Sequence, residues 1–518
     1  MKKVFMPLLA SVLLLGACTD DDSTYGVQGK NYIHLSGLEN SYDIVSFSGD
    51  KLNISPVVES DYAADDLEYT WSYYNTADGD KSKYDATTGT FTYTKADTIS
   101  HDKNLSWPVA VTDGQYTLIL TVKSKSTGLS EQMTTQVNAS SALSLGFYVL
   151  KENAEGNTDV DLYNTVSQKL TSDVIKTFQG QAIPGKPRWM DVNHQLALAD
   201  PVTGGLSGGN LLCITTENNE VRWIRALDCT TVMDATNNHY APVAGEIPYR
   251  TVRGYFTAYF LTNNGVYTTY TASQNSTGIF GPVAGTGGST HVVGGTGNTN
   301  YYSIVYWSEQ TRRLEMLDYN GNLKPVNQDG IQLGTLNYDC LDCGLSTAGG
   351  DLMYFVFADR TDATKKYLYQ ITPSLAYADV TNVRTIDPES HFAKASLRAF
   401  NGQQATIAYA LDAGKVYSYN LATVGVEKEL TFPGLPAGET ITFLSNRYFA
   451  GSAAFDYLVV GTQSGGTYKL YFYNMVGGEP SGNAQFTITG SGKLKSLGYI
   501  NPKVGDMSKA AAMPVLDE

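Results

Sequence analysis

Ala258-Tyr259-Phe260-Leu261-Thr262-Asn263-Asn264-Gly265-Val266-Tyr267 packs an apolar strand, a polar turn and a second strand into ten residues. Asn-Gly at 264–265 suits the tight mirror-type turn of a hairpin, in which φ must become positive. The same unit recurs along most of the chain. Phe147–Leu150 opens the first copy; Leu211–Ile214 faces Val221–Ile224, and Ser303–Tyr306 faces Leu314–Leu317. Met353–Val356 with Tyr367–Tyr369, Ile407–Tyr409 with Val416–Tyr419, and Leu458–Val460 with Tyr468–Phe472 complete the set. The turns centre near Gly156, Asn219, Gly265, Gln310, Asp362, Gly414 and Gly465. Their mean separation of about 52 residues is close to the period of propeller blades. Seven hairpins predict a seven-bladed β-propeller over residues 141–505, with 506–518 as a tail. Residues 484–500 hold two further strands and no eighth hairpin. They are expected to complete the blade begun by Phe147–Tyr163, which would pair the two ends of the domain and remove exposed sheet edges.

A string of three or four sandwich domains would fill the same length. It would show a buried tryptophan about every hundred residues, and Trp189, Trp223 and Trp307 follow no such rhythm. No Trp-Asp dipeptide repeats and the glycine pairs do not fall at kelch spacing, so the propeller is a divergent one. Composition agrees with an all-β chain. Among 518 residues there are 36 tyrosines and 50 glycines, the residues of half-buried strands and tight turns. Apolar residues at 42% against charged residues at 17% exclude a disordered acidic chain. A formal charge of −15 argues against a nucleic-acid binder, which wants a basic face.

Ahead of the propeller, residues 29–140 contain short alternating runs: Lys51–Ser55, Leu67–Tyr73, Tyr116–Val122 and Glu131–Val137. Period two with β-branched and aromatic filling, over the length of one sandwich, predicts an immunoglobulin-like domain. Trp71 lies where a sandwich buries its central indole, and Asp113-Gly114-Gln115-Tyr116-Thr117-Leu118 has the form of a tyrosine corner. Through Tyr69-Thr70-Trp71 and Gly114-Gln115-Tyr116-Thr117-Leu118 this stretch resembles the PKD type of immunoglobulin-like domain. Ser72-Tyr73-Tyr74-Asn75 replaces the Asp-Phe-Gly-Asp-Gly turn usual there. The module is expected to act as a spacer.

The first residues are an address. Lys2 and Lys3 precede an apolar run, Val4 to Leu15, which is too short to span about 30 Å of hydrocarbon. Leu15-Gly16-Ala17-Cys18 resembles a bacterial lipobox, in which residues 1–17 are the signal peptide and Cys18 is acylated (palmitate among the acyl chains). Several chains, at about 0.8 kcal/mol per buried methylene, hold a protein on a membrane durably. Residues 18–28 would be the acylated cysteine and an acidic tether. Within it, Asp20, Asp21 and Asp22 resemble the surface-export signal of Bacteroidota lipoproteins, which implies the outer face of the outer membrane.

Catalytic patterns are scarce. Gly205-Leu206-Ser207-Gly208-Gly209 fits the serine-hydrolase elbow, but that elbow needs a strand before it and a helix after it. A Pro/Gly-rich stretch precedes this one and the strand Leu211–Thr215 follows, so it reads as a loop. The glycines of Gly285–Gly297 lack the helix a phosphate cradle requires. Cys340-Leu341-Asp342-Cys343 has a redox or half-zinc spacing, without a second ligand pair or a following helix. Cys213, Cys229, Cys340 and Cys343 are therefore expected to be structural, buried or disulfide-bonded, with the pairing open. His34, His101, His194, His239, His291 and His391 are scattered, and no metal site or cofactor is expected. No acid pair at glycosidase spacing stands out locally.

A binding surface remains. Propellers carry function on inter-blade loops around a central channel. The candidates are Arg188 and Trp189, His239 and Tyr240, Tyr301 and Tyr302, and His391 with Phe392, aromatic groups suited to stacking on a sugar or holding a peptide. For any single ring, packing between blades is at least as good a reading. The order of lipobox, acidic tether, PKD-like module and tyrosine-rich propeller resembles the PKD-like family lipoproteins of Bacteroidota. That resemblance implies a non-enzymatic accessory subunit of a Sus-like nutrient uptake system, beside a TonB-dependent transporter and its substrate-capturing lipoprotein, with a glycan or oligopeptide as ligand. The alternatives are a surface polysaccharide- or peptide-degrading enzyme with an acid pair at the channel, and a purely structural adaptor.

Overall fold

The computed structural model describes residues 32–500 apart from 47–50, 80–82, 86–89, 93–95, 112, 200–205, 255–256, 271–276, 295–302, 347–351, 401–405, 424 and 450–454. Cys18 and the Asp20–Asp22 run therefore lie outside the described residues. The chain forms two compact units, the first drawn from the residues up to Ala139 and the second from Ser140 onward together with the short segments Val45–Ser48 and Val111–Gly114.

The first unit is a β-sandwich. Its larger sheet orders Ser41–Val45, Ser130–Ser140, Gly114–Ser124, Leu67–Asn75 and Asp97–Ser100. Two short antiparallel pairs, Ile33–Ser36 with Val57–Ser60 and Lys51–Ile54 with Leu105–Pro108, accompany it. The alternation in Leu67–Asn75 puts Trp71 inside, fully buried, with its indole N–H donating to the Asp102 carbonyl at 3.1 Å. Opposite it, Leu118, Leu120 and Val122 of the paired strand are also fully buried. Tyr116 is buried edge-on against Tyr73, with ring centroids 5.8 Å apart.

The second unit is a seven-bladed propeller built from seven sheets, antiparallel except where Val326–Gln328 adds in parallel to Ala378–Ile386 at the edge of the fifth. Each hairpin read from the sequence is the middle pair of a sheet. The inner strand precedes it in chain order, and in blades two to seven these strands are Pro187–Ala199, Pro248–Arg253, Val292–Gly294, Tyr338–Ser346, Leu397–Ala399 and Ile441–Phe449. In blade one the inner strand comes from the other end of the chain: Lys493–Ile500 pairs with Gly146–Glu152, placing Phe147 opposite Tyr499. The expectation for residues 484–500 holds for this second strand only. The first, Phe486–Ser491, pairs with Thr467–Val476 and closes the seventh sheet instead. The chain thus spends one strand on each side of the seam, which leaves neither end of the propeller as an open edge.

Buried tyrosines bond both within blades and between them. The second-strand residue Tyr148 donates to the Leu143 carbonyl, Tyr259 to the Asp318 carbonyl at 2.5 Å, and Tyr306 to Glu315 at 2.6 Å. All three rings are fully buried, so each hydroxyl must find a partner and the ring fills the space between sheets. At the seam, third-strand Tyr468 of blade seven donates to Asp161 of blade one at 2.7 Å. Lys151 joins the same buried cluster, 2.6 Å from Asp161 and 2.9 Å from Asp173. Nearby, Asp159 accepts the Ile175 and Lys176 amides at the start of the helix Val174–Gln179. Burial nevertheless pushes its carboxyl up to about 6.

Three local expectations change. The mirror-type turn expected at Asn264-Gly265 does not form, because neither these residues nor Asn263 has a positive φ. Thr262 Oγ1 instead accepts the amides of Asn264 and Gly265 at 3.2 and 3.3 Å, fixing an ordinary turn around Asn263-Asn264. Mirror geometry occurs at Ala413-Gly414, with φ of 48° and 80° between the paired Asp412 and Lys415. Ser207 lies not in a loop but in the strand Leu206–Thr216, opposite Leu198. The four described cysteines carry no disulfide; three are buried and Cys343 is partly exposed.

Candidate functional site

The seven inner strands enclose a cavity of about 410 Å³, and every blade contributes to its wall. Successive side chains of a strand point to opposite sides. Each inner strand therefore gives some residues to the blade core and others to the channel. Trp189 comes from blade two and Arg250 from blade three, with His291 immediately before the inner strand of blade four. Asp342 and Cys343 come from blade five, Arg398 from blade six, Phe443 and Asn446 from blade seven, and Lys495 and Ser496 from the closing strand.

The charges of the wall are mostly matched. Asp191 holds Arg250 through Nε at 3.1 Å and Nη2 at 2.7 Å and also accepts the Trp189 indole N–H at 2.9 Å. This pair lays the guanidinium over the Trp189 ring, 4.4 Å from its centroid. Arg398 gives Nε and Nη2 to the Phe392 carbonyl at 3.0 and 2.7 Å. Burial depresses its affinity for a proton, partly offset by Asp342. The same burial pushes the Asp342 carboxyl up to about 7, against the pull of Arg398. Lys495 is exposed and forms no ion pair with the described residues.

Three polar atoms of the wall are buried without a hydrogen-bond partner: His291 Nδ1, Asn446 Oδ1 and Ser496 Oγ. The His291 ring bonds the Leu341 backbone, and burial, then the Arg250 charge, lower its pKa to about 4. The ring is thus neutral at physiological pH and Nδ1 carries a bare lone pair. Asn446 is 2% exposed and spends its amide N–H on the Tyr457 carbonyl at 2.9 Å, which leaves Oδ1 an acceptor. Buried polar groups are paired in most folds, and each orphan costs about 1–3 kcal/mol.

Of the residues proposed from the sequence, Trp189 lines the cavity, and it does so from an inner strand rather than from an inter-blade loop. Arg188, on the same strand, turns away to bond the Pro248 carbonyl and Asn219. His239 packs edge-on against Tyr267 and bonds Glu246 at 3.0 Å, a role between strands. Tyr240 is 71% exposed, its hydroxyl 3.0 Å from Thr277. His391 stacks on Tyr417 at 3.6 Å and bonds Asp412 at 2.8 Å, while Phe392 is fully buried against Tyr419. Neither lines the cavity. Tyr301 and Tyr302 lie outside the described residues. The structure does not gather the six described candidates into one surface. The residues that do converge, His291, Asp342, Arg398, Asn446, Lys495 and Ser496, carry no local motif. The signal available for them was the inner strand itself, one short segment ahead of each hairpin.

Residues 18–187 match the model of the PKD-like family, a span covering the sandwich and three of the four strands of the first blade. Curated proteins yield no match to the chain. Among solved structures, a quinoprotein alcohol dehydrogenase-like protein from Bacteroides thetaiotaomicron is 13% identical, covering 89% of this chain and 97% of its own at a TM-score of 0.41. AztD from Citrobacter koseri is 11% identical, covering 70% of this chain and 94% of its own at a TM-score of 0.29. The propeller assignment rests on the strand pairing of this chain. Its N-terminal third is similar in sequence to the PKD-like family.

Proposed function

We propose that this chain is a non-enzymatic ligand-binding lipoprotein, anchored through Cys18 to the outer face of an outer membrane. There it serves as an accessory subunit to a TonB-dependent transporter and its substrate-capturing lipoprotein in the uptake of a glycan or oligopeptide. The observation that carries the binding role is the channel cavity, where seven inner strands converge. Its volume lies within the roughly 300–1,000 Å³ of small-molecule sites. The anchoring role rests on Leu15-Gly16-Ala17-Cys18 and the aspartates after it. In this reading the sandwich module is a spacer.

Mild-detergent purification from outer membranes tests the partnership, and mass spectrometry of Cys18 tests the anchor. A co-purifying transporter and a lipidated N-terminal cysteine are expected. An unmodified thiol, or a chain that purifies alone and binds nothing, contradicts the reading. One observation favours a second reading as a hydrolase: Asp342 sits in the cavity with its carboxyl pushed up to about 7, the range of a general acid. It is the only carboxylate among the described wall residues, whereas glycoside hydrolysis uses a pair. Turnover of a polysaccharide by the purified chain, abolished in Asp342→Asn, would establish that reading.

A further inference from the structure

We infer that Lys151 and Asp161 condense into a side-chain amide, a covalent cross-link within the first hairpin of the propeller, with Asp173 carrying the protons. This goes beyond the ligand reading and does not depend on it. The reacting groups are already in contact. Lys151 Nζ lies 2.6 Å from Asp161 Oδ1, and the two side chains are withdrawn from solvent, 1% and 0% exposed. A second carboxylate, that of Asp173, reaches the same ammonium at 2.9 Å. Lys469 shows the contrast: it meets Glu439 at the same 2.6 Å, but it is 38% exposed to water.

A structural ion pair needs one carboxylate, and here a second is supplied against local preference. Asp173 stands at the N-cap of the helix Val174–Gln179, yet its side chain makes no cap hydrogen bond. Asp159 accepts the Ile175 and Lys176 amides in its place. Asp173 also holds a left-handed φ of 50°, a strained conformation for a residue with a Cβ. What the strained residue gains is its contact with Lys151. The electrophile is prepared as well. Tyr468 donates its hydroxyl to Asp161 Oδ2 at 2.7 Å, and the Asp173 amide donates to Oδ1 at 2.8 Å. Charge that develops on these oxygens during attack meets donors already in place. Val149, opposite Asp161 across the strand pair, is fully buried. Gly492 leaves room for the lysine stem, since a Cβ there would stand 3.0 Å from Lys151 Cδ.

The step balances without a co-reactant. Asp173 takes a proton from the ammonium and passes it to Asp161 Oδ1, and the freed Nζ lone pair attacks Asp161 Cγ. A second proton follows the same route, and Oδ1 leaves as water. The bond formed is Nζ–Cγ, the bond broken is Cγ–Oδ1, and Asp173 returns unchanged. A neutral amide replaces two buried charges, which lifts the desolvation penalty of the ion pair. Freshly folded chain carries the ion pair, and the amide accumulates from it.

Peptide mass spectrometry tests this on the full-length chain, kept folded at neutral pH and digested with trypsin at intervals until its composition is constant. Trypsin does not cut after an acylated lysine. The expected product is a peptide that runs uncut through Lys151, is lighter by one water, and yields no fragment ions from breaks between residues 151 and 161. Lys469 in the same digest is expected to remain cleavable. Lys151→Arg keeps the positive charge without the amine and is expected to retain its full mass. Asp173→Asn removes the proton carrier at a residue that is 39% exposed, so the fold is kept. It is expected to lose water about 100-fold more slowly, the usual worth of a positioned acid and base. Circular dichroism checks that both variants fold. Cleavage after Lys151 at full mass in the aged wild-type chain overturns the inference. So does a peptide that has lost water yet is still cut after Lys151, which marks an aspartate succinimide. Cross-linking of Asp173→Asn at the wild-type rate overturns the proton route.

Discussion

Replacing Lys151 with Met probes how the propeller is closed. Lys151 is 1% exposed, and its ammonium lies 2.6 Å from Asp161 and 2.9 Å from Asp173. Asp161 is fully buried and keeps two donors in the variant, the Tyr468 hydroxyl at 2.7 Å and the Asp173 amide at 2.8 Å, but no cation. Breaking a buried ion pair by removing one partner costs about 3–5 kcal/mol. Unfolding entropy of about 2.1 cal/mol/K per residue, over roughly 350 residues of propeller, gives about 0.7 kcal/mol/K. Lys151→Met should therefore lower the melting temperature by about 4–7 °C in scanning calorimetry. Tyr468→Phe removes one hydrogen bond to a charged group, about 1.5–3 kcal/mol, and should lower it by about 2–4 °C. Because both act on Asp161, the double variant should lose less than the sum. Adding Asp161→Asn to Lys151→Met removes the stranded charge and should restore part of the loss. A Lys151→Met chain that melts within about 1 °C of wild type would refute the view that this cluster holds the seam.

Gly344 of the inner strand of blade five has no room for a side chain, since a Cβ there would stand 2.1 Å from Phe400 Cβ of blade six. Gly344→Ala should destabilise by about 1–3 kcal/mol or more, read as a lower urea midpoint, and an unchanged midpoint would contradict the packing described. Asp342 should make stability depend on pH. Its folded carboxyl is raised by burial to about 7 from 3.8, so the folded state binds the extra proton between those values. The stabilisation is complete below the unfolded value and is lost as pH rises through about 7. Urea midpoints from pH 5 to 8 should consequently fall more steeply for wild type than for Asp342→Asn, and parallel curves would refute the assignment. Thiol alkylation should be selective. Cys213, Cys229 and Cys340 are buried, with burial pushing Cys229 up to about 12, whereas Cys343 is partly exposed on the cavity wall. Cys343 should react first with iodoacetamide and be protected by bound ligand; equal labelling of all four would count against it.

The hairpins were legible because the middle strands of a blade are buried on both faces. Leu458-Val459-Val460 and Met353-Tyr354-Phe355-Val356 are continuous apolar runs, with every residue buried except where a turn begins. Inner strands face a blade core on one side and a polar channel on the other, so Lys493–Ile500 alternates weakly and Cys340–Cys343 looks like a turn. A bulge between Cys340 and Asp342 breaks even that alternation. The site is drawn from these strands, which is why its residues were missed. Trp189 was found because its indole was conspicuous, yet its place was misread, since the Pro and Gly before it suggested a loop. Phe392 and His239 show the opposite error. Each was chosen for its ring and its position between blades, and each ring packs between strands. The turn at Asn264-Gly265 failed for a related reason. A favourable dipeptide was outweighed by the Thr262 hydroxyl, which satisfies two turn amides without a positive φ.

A crystal structure of the chain with the tightest ligand from a glycan and peptide array is the most direct measurement. The account predicts the ligand within the channel, lying against Trp189. A ligand seated on the outer surface of the propeller or on the sandwich would contradict it.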